Sequence, residues 1–327
     1  MSKNSLITIL VMVMSYNANG KTWVVDQSGS GDYSTITDAV TIATSGDTID
    51  VRAGTYVEGV SVNGKTLVIT GFGSSSTTIY NSSFAVSVGE SSVGALTISG
   101  FKIMSTSNNA LYVYRSGSQL VAKQCVLESS SSSSGSSAAV EVLYGSEAQF
   151  YNCVFQNSDY GVWASSEGTV VDVINCIIYN NDVGVQVGYG GNYDGTINIQ
   201  NSIFHSNDIA AKKYSANSGY LLSIYNCYYN NPTVVYNTSK GLGDITSDPL
   251  ITNISEAYYS LQSTSPSKDA GNPSPAYTDT DGSRNDLGVY GGPNTWSQGP
   301  VITNLSVSPL TVDLGGTITI SATAKTK

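Results

Sequence analysis

Apolar and polar residues alternate in short runs along the chain, and a single residue at the end of each run resets the phase. In Val171-Asp-Val-Ile-Asn175-Cys, Val171 and Val173 share one face, and the alternation restarts one step out of phase at Cys176 and Ile178. Such alternation places successive side chains on opposite faces of a strand. A residue that resets the phase while keeping the apolar side inward must bend the chain. Gly and Asn are the residues that best tolerate the left-handed backbone such a bend uses. The pattern recurs at Gly71, Gly100, Gln124, Asn152, Asn175, Asn201 and Asn226, spaced 23 to 29 residues apart, and only Gln124 departs from Gly or Asn. Strand, one-residue bend, strand and return predict one coil of a parallel β-solenoid, an all-β fold. The two-residue hairpin turns of a sandwich are not prominent.

Stacked coils place equivalent residues about 4.8 Å apart, in ladders. Cys125, Cys153, Cys176, Ser202 and Cys227 predict an inward ladder. No Cys-x-x-Cys pair suggests zinc, and small buried thiols fit such spacers. Asn152, Asn175, Asn201 and Asn226 predict a second ladder, with amides hydrogen-bonding from coil to coil. A solenoid end exposes sheet edges that need covering. Residues 33–43 place Ile36, Ala39, Val40 and Ala43 at helical spacing, so a short amphipathic helix is the expected N-terminal cap.

Charge narrows the partners. Only 12% of the 327 residues are charged and the net charge is −10, which argues against nucleic acid. Lys3, the apolar run 6–14 and Ala18-Asn19-Gly20 form the pattern of a secretory signal, expected to occupy residues 1–20. The run is shorter than the roughly 20 apolar residues of a membrane span; the alternative is a buried N-terminal strand. The expected mature chain is secreted or on the cell surface, monomeric, with the solenoid over 21–293. Residues 294–327 are expected to be a linker and what resembles the start of an immunoglobulin-like β domain, with about two strands, too few for a core of its own.

Trp23-Val-Val-Asp-Gln-Ser-Gly-Ser-Gly-Asp-Tyr-Ser-Thr-Ile-Thr-Asp-Ala-Val40, Gly54-Thr-Tyr-Val-Glu58 and Lys65-Thr-Leu-Val-Ile-Thr-Gly71 resemble the opening of pectin methylesterases. More broadly, the chain resembles the pectin-lyase-like superfamily of right-handed parallel β-helices. Ser265–Pro273 and Asp279–Pro293 resemble the closing segment of secreted bacterial β-helix proteins. The resemblance spans residues 22–293 and implies the fold, not one activity. It does not extend to the active sites. Where pectin methylesterases carry Gln-Ala-Val-Ala-Leu, Gln-Asp-Thr and Asp-Phe-Ile-Phe-Gly, this chain has Asn109-Ala-Leu-Tyr-Val and Asp159-Tyr-Gly-Val-Trp163. His205 lacks the Gly-His-Gly setting of polygalacturonases. Arg52, Arg115 and Arg284, the only arginines, form no pectate-lyase-like Arg-x-Pro-x-x-Arg.

The resemblance implies a sugar groove on the sheet formed by the further strand of each coil, after its Gly-Val-like step. The outward stripe there is Ser87, Tyr112, Glu141, Trp163, Gln186 and Lys212, flanked by Tyr114, Tyr144, Tyr189 and Tyr214. Aromatic faces pack on sugar rings while amides and charges select hydroxyls and uronates, so Tyr112, Tyr114, Glu141, Trp163, Gln186 and Lys212 are the candidate substrate-binding residues. A glycosidase needs two carboxyls about 5–9.5 Å apart, and the stripe gives Glu141 no partner. A lyase would need Arg115, Lys123 or Lys212 brought together as base and charge neutraliser. The stripe is too mixed for an ice-binding face. Asp159, Asp182 and Asp208 recur in turns, either exposed or sharing a cation. Asp279, Asp281 and Asp286 resemble part of a calcium loop, and calcium is the one cofactor suggested. The alternative is a turn pinning the last coil, with Arg284 pairing an Asp. The expected function is binding of an extracellular polysaccharide along the stripe, with or without cleavage; the competing class is a non-catalytic adhesin or scaffold.

Overall fold

The computed structural model describes residues 20–130, 137–190 and 195–296, together with the backbone of 301–308 and 319–325. Apart from Gly20, the expected signal segment lies outside the described residues. Three parallel sheets, one of nine strands and two of eight, wind as a parallel β-helix. One coil shows the unit. Val170–Ile174 belongs to the first sheet, Ile177–Tyr179 to the second and Val183–Val187 to the third. Each strand pairs in parallel with its equivalent one coil away, so the core is built of rows. Leu67, Leu96, Leu120, Ala148, Val171 and Ile197 form one such inward row. All six are buried.

The predicted bends hold at five of the seven positions. Gly100, Gln124, Asn152, Asn175 and Asn201 all have left-handed backbones, with φ between 53° and 74°. At the last coil Tyr225 takes this conformation in place of Asn226, and near the first, Gly73 rather than Gly71 has positive φ. A second left-handed corner, between the second and third sheets, falls at Asn157, Asn180, Ser206 and Asn230.

The coil-to-coil amide ladder is not where the sequence places it. It follows the second corner, through Asn181, Asn207 and Asn231. Asn181 Nδ2 donates to Asn207 Oδ1 at 2.9 Å, and Asn207 Nδ2 to Asn231 Oδ1 at 3.0 Å. The amides at the first corner instead hold a C-terminal strap, which runs back along the helix from residue 265 to 296. Asn201 Oδ1 accepts from Asn272 N–H, and Asn175 Nδ2 donates to Asp286 O. Asn152 Nδ2 donates to Val289 O and Gly291 O, and Gln124 Nε2 to Asn294 O and Thr295 O. Gln124 is thus no exception in kind: it supplies the same amide on a longer stem.

The cysteine ladder forms as expected. All four thiols are free and buried, and burial pushes Cys125 and Cys153 well above the usual thiol range. The ladder's serine serves as an acceptor, Cys176 N–H donating to Ser202 Oγ at 3.0 Å.

The cap helix spans Ile36–Ile42 with Thr35 as N-cap. Glu58 accepts the Ile36 and Thr37 N–H groups at 2.9 and 2.8 Å, while Lys65 Nζ donates to Val40 O and Thr41 O. A carboxylate at the N-terminus and an ammonium at the C-terminus satisfy orphan helix groups and match the helix dipole. The Glu58 and Lys65 of the motifs that resemble pectin methylesterases therefore serve the fold.

Asp47, only 6% exposed, seals the same end by accepting Thr44 N–H, Lys21 N–H and the Trp23 indole N–H. Burial opposes its ionisation, but these donors outweigh it and lower its pKa. A carboxylate lowered on folding adds stability above its unfolded pKa of about 3.9, lost as pH falls through the folded value. Asp47→Asn should cost about 1–3 kcal/mol at neutral pH and flatten the acid limb of the stability–pH curve. Thermal melts between acid and neutral pH check this.

Strands Val301–Ser308 and Thr319–Lys325 pair antiparallel. Among the described residues no helix is long and apolar enough to cross a membrane.

Candidate functional site

The third sheet aligns the predicted stripe in register: Ser87, Tyr112, Glu141, Trp163, Gln186 and Lys212 occupy one row on successive coils. What lies over that row differs from expectation. Trp163 is 6% exposed and Gln186 1%. Tyr160 stacks on Trp163 at 4.7 Å and Tyr189 meets it edge-on at 5.4 Å, while its indole N–H donates to Gly188 O. Trp163 and Gln186 are therefore buried beneath the face, and alternation alone could not reveal the tyrosines packed on Trp163.

Exposed rings come from the flanks. Tyr144 is 52% and Tyr189 58% exposed, and Tyr214 and Tyr236 are exposed as well. Two aromatic clusters result. Phe84, Tyr112, Tyr114 and Tyr144 form one, with successive centroid distances of 4.4, 5.6 and 4.8 Å. Tyr160, Trp163, Tyr189 and Tyr214 form the other.

In the row, Glu141 sits between Tyr112 of one cluster and Trp163 of the other. Asn109 Nδ2 and Ser165 Oγ donate to its two oxygens at 2.6 and 2.9 Å. Burial raises its pKa despite both donors, and no neighbouring charge contributes. Burial and the Glu141 charge likewise raise the Tyr112 hydroxyl. Among the described residues no second carboxylate acts on the Glu141 charge. Nor do the candidate cations gather. Lys212 lies three coils from Glu141, about 14 Å. Arg115 is held by Gly89 O and Glu90 O, and Lys123 belongs to the first sheet.

Asp159, Asp182 and Asp208 line the entry edge of this sheet, and burial together with the two neighbouring carboxylates raises Asp182. In the Asp279 loop the carboxylates serve the backbone. Asp279 accepts Asp286 N–H and Gly292 N–H, Asp281 accepts Ser283 N–H, and Asp286 accepts Asp269 N–H. Burial raises Asp279 to about 6. Arg284 donates to Gly271 O and Ala270 O rather than to an Asp. Among the described residues no group of three His, Cys, Asp or Glu side chains is placed to hold a metal ion.

A groove that sequence reasoning missed lies on the first sheet. It has a volume of about 350 Å³, and the strap walls it. Lys123, Gln149, Tyr151 and Tyr277 are among its lining residues. Beside it, Asp172 accepts Gln149 Nε2 at 3.2 Å and Asn198 Nδ2 at 2.8 Å. Burial, then the Asp172 charge, push Tyr151 up to about 12. The outward row Gln149–Asp172–Asn198 is visible in the sequence, but its wall comes from Tyr277 and Asn294, more than a hundred residues beyond Gln149.

Fold and faces define a parallel β-helix protein with two candidate ligand surfaces. The family described as right handed beta helix region matches residues 84–248, half of the chain, and the chain belongs to that family. Among solved structures, pectate lyase Pel9A is similar at 15% identity, covering 82% of this chain and 95% of its own, with a TM-score of 0.53. A pectin methylesterase from carrot is 18% identical over 71% of this chain and 90% of its own, with a TM-score of 0.41. These likenesses concern the fold. No curated protein matches the chain.

Proposed function

We propose that the protein holds a polysaccharide outside the cell, along the tyrosine-lined third sheet, without cleaving it. The observation that carries this reading is the pair of aromatic clusters flanking Glu141, with Tyr144 and Tyr189 exposed. Coils repeat about every 4.8 Å, so rings on successive coils can meet successive sugars of an extended chain. Sugar faces pack on aromatic rings, and the tyrosine hydroxyls and Lys212 supply polar contacts at the rim. A holding role rather than hydrolysis is supported by Glu141, whose two oxygens are engaged and which has no carboxyl partner among the described residues. The likeness to a pectate lyase supports carbohydrate as the ligand class at the level of fold. Residues 1–20 support export, and the strands after residue 300 fit an appended immunoglobulin-like unit.

Incubating the full chain with a polysaccharide panel tests the role. Retention in affinity gels, with neither new reducing ends nor unsaturated products over days, is the expected result. Turnover that disappears in Glu141→Gln would replace the holding role with catalysis. The first-sheet groove favours a second reading, a pocket for one or two sugar residues with Lys123 as the charged contact. Under that reading Lys123→Ala would abolish retention and Tyr189→Ala would leave it intact.

A further inference from the structure

We infer that the polysaccharide taken by the third sheet is uncharged, an inference that rests on the reading that this face binds glycan. The margins of the face determine this. Asp159, Asp182 and Asp208 follow one another on consecutive coils along its entry edge. Crowding among these carboxylates is already felt within the protein, because Asp159 and Asp208 both disfavour the charge on Asp182. At the opposite margin Glu90 is exposed and accepts Ser61 Oγ and Ser87 Oγ. Glu141 lies between the margins. A polyuronate laid over these coils would bring carboxylates against Asp159, Asp182 and Asp208 on three successive coils and against Glu90 at the other margin, in a chain of net charge −10.

The cations named on this face, Arg115, Lys212 and Lys213, are outnumbered by its five carboxylates, Asp159, Asp182, Asp208, Glu90 and Glu141. The Arg115 guanidinium donates to Gly89 O and Glu90 O, and Lys213 Nζ to Ala216 O at 2.9 Å. Of these three, only Lys212 has no such hydrogen bond among the described residues. Glu141 and Asp159 are poor seats for an amino-sugar polymer. Glu141 takes Asn109 and Ser165 as donors, and Asp159 takes the Ser137 N–H and Oγ. Exposed on the face are tyrosine rings and hydroxyls, which suit the apolar faces and hydroxyls of a neutral sugar chain. The acidic margins then act by exclusion, which gives selectivity through repulsion of the wrong ligand.

Affinity electrophoresis of the full chain, at low and at high salt, tests this. The gels contain galactomannan, xyloglucan, mixed-linkage glucan, polygalacturonate, alginate or chitosan. Expected is retention by at least one neutral polymer, unchanged by salt, with no retardation by either polyuronate. Tyr189→Ala, an exposed position, should weaken that retention about tenfold with the melting temperature unchanged. Retention by a polyuronate equal to or above that of the neutral polymers would overturn the inference. So would a salt-sensitive preference for chitosan, because the acidic edge would then be the ligand-binding element. Retention by none of the six would overturn the underlying glycan reading instead.

Discussion

Asn207→Leu should cost at least about 3 kcal/mol and lower the melting midpoint by about 6–12 °C. Asn207 is fully buried and central to the amide ladder. Its Oδ1 accepts both the backbone N–H and Nδ2 of Asn181, and its Nδ2 donates to Ile178 O and Asn231 Oδ1. Leucine has similar bulk but leaves two donors and a carbonyl unpaired away from water, each costing about 1–3 kcal/mol before relaxation. Because coils contact mainly their neighbours, the loss should open the coils around residue 207 before the helix cap. Asn180→Gly is the control. That residue is exposed and left-handed at φ 54°, where glycine carries no steric penalty. Differential scanning calorimetry separates the two, and an unchanged midpoint for Asn207→Leu would show that the ladder adds nothing.

Replacing Tyr144 and Tyr189 together by alanine should reduce polysaccharide affinity about a hundredfold, about tenfold from each ring. The two rings belong to different clusters two coils apart, so their losses should nearly add. Both are exposed, and their truncation should leave the fold intact. Isothermal titration against the best-retained polymer reads the effect. Trp163→Ala should behave differently: its burial and its bond to Gly188 O make it a support for Tyr160 and Tyr189. Lost stability of about 3–5 kcal/mol should accompany any loss of binding there.

The sequence made the coil legible because each coil repeats the same demands: inward rows, a left-handed corner and a small spacer. The helix cap was legible from its periodicity. What the corner amides bind was not, since their partners arrive from far along the chain. Asn272 lies 71 residues from Asn201, and Thr295 lies 171 residues from Gln124. The stripe on the third sheet shows the same limit. Alternation fixed which side chains share a row, and the register bears that out from Ser87 to Lys212. It could not show that Tyr160 and Tyr189 cover Trp163, nor that Asn109 and Ser165 occupy Glu141. The Asp279 loop looked like a cation site because its oxygens are close in sequence, yet backbone N–H groups claim them in space.

The most direct measurement is a crystal structure of the full chain with a neutral oligosaccharide long enough to span several coils. Sugar density lying across Tyr144 and Tyr189, over the coil that carries Glu141, is the predicted result. Density confined to the first-sheet groove beside Lys123 and Tyr277, with the third sheet bare, would contradict it.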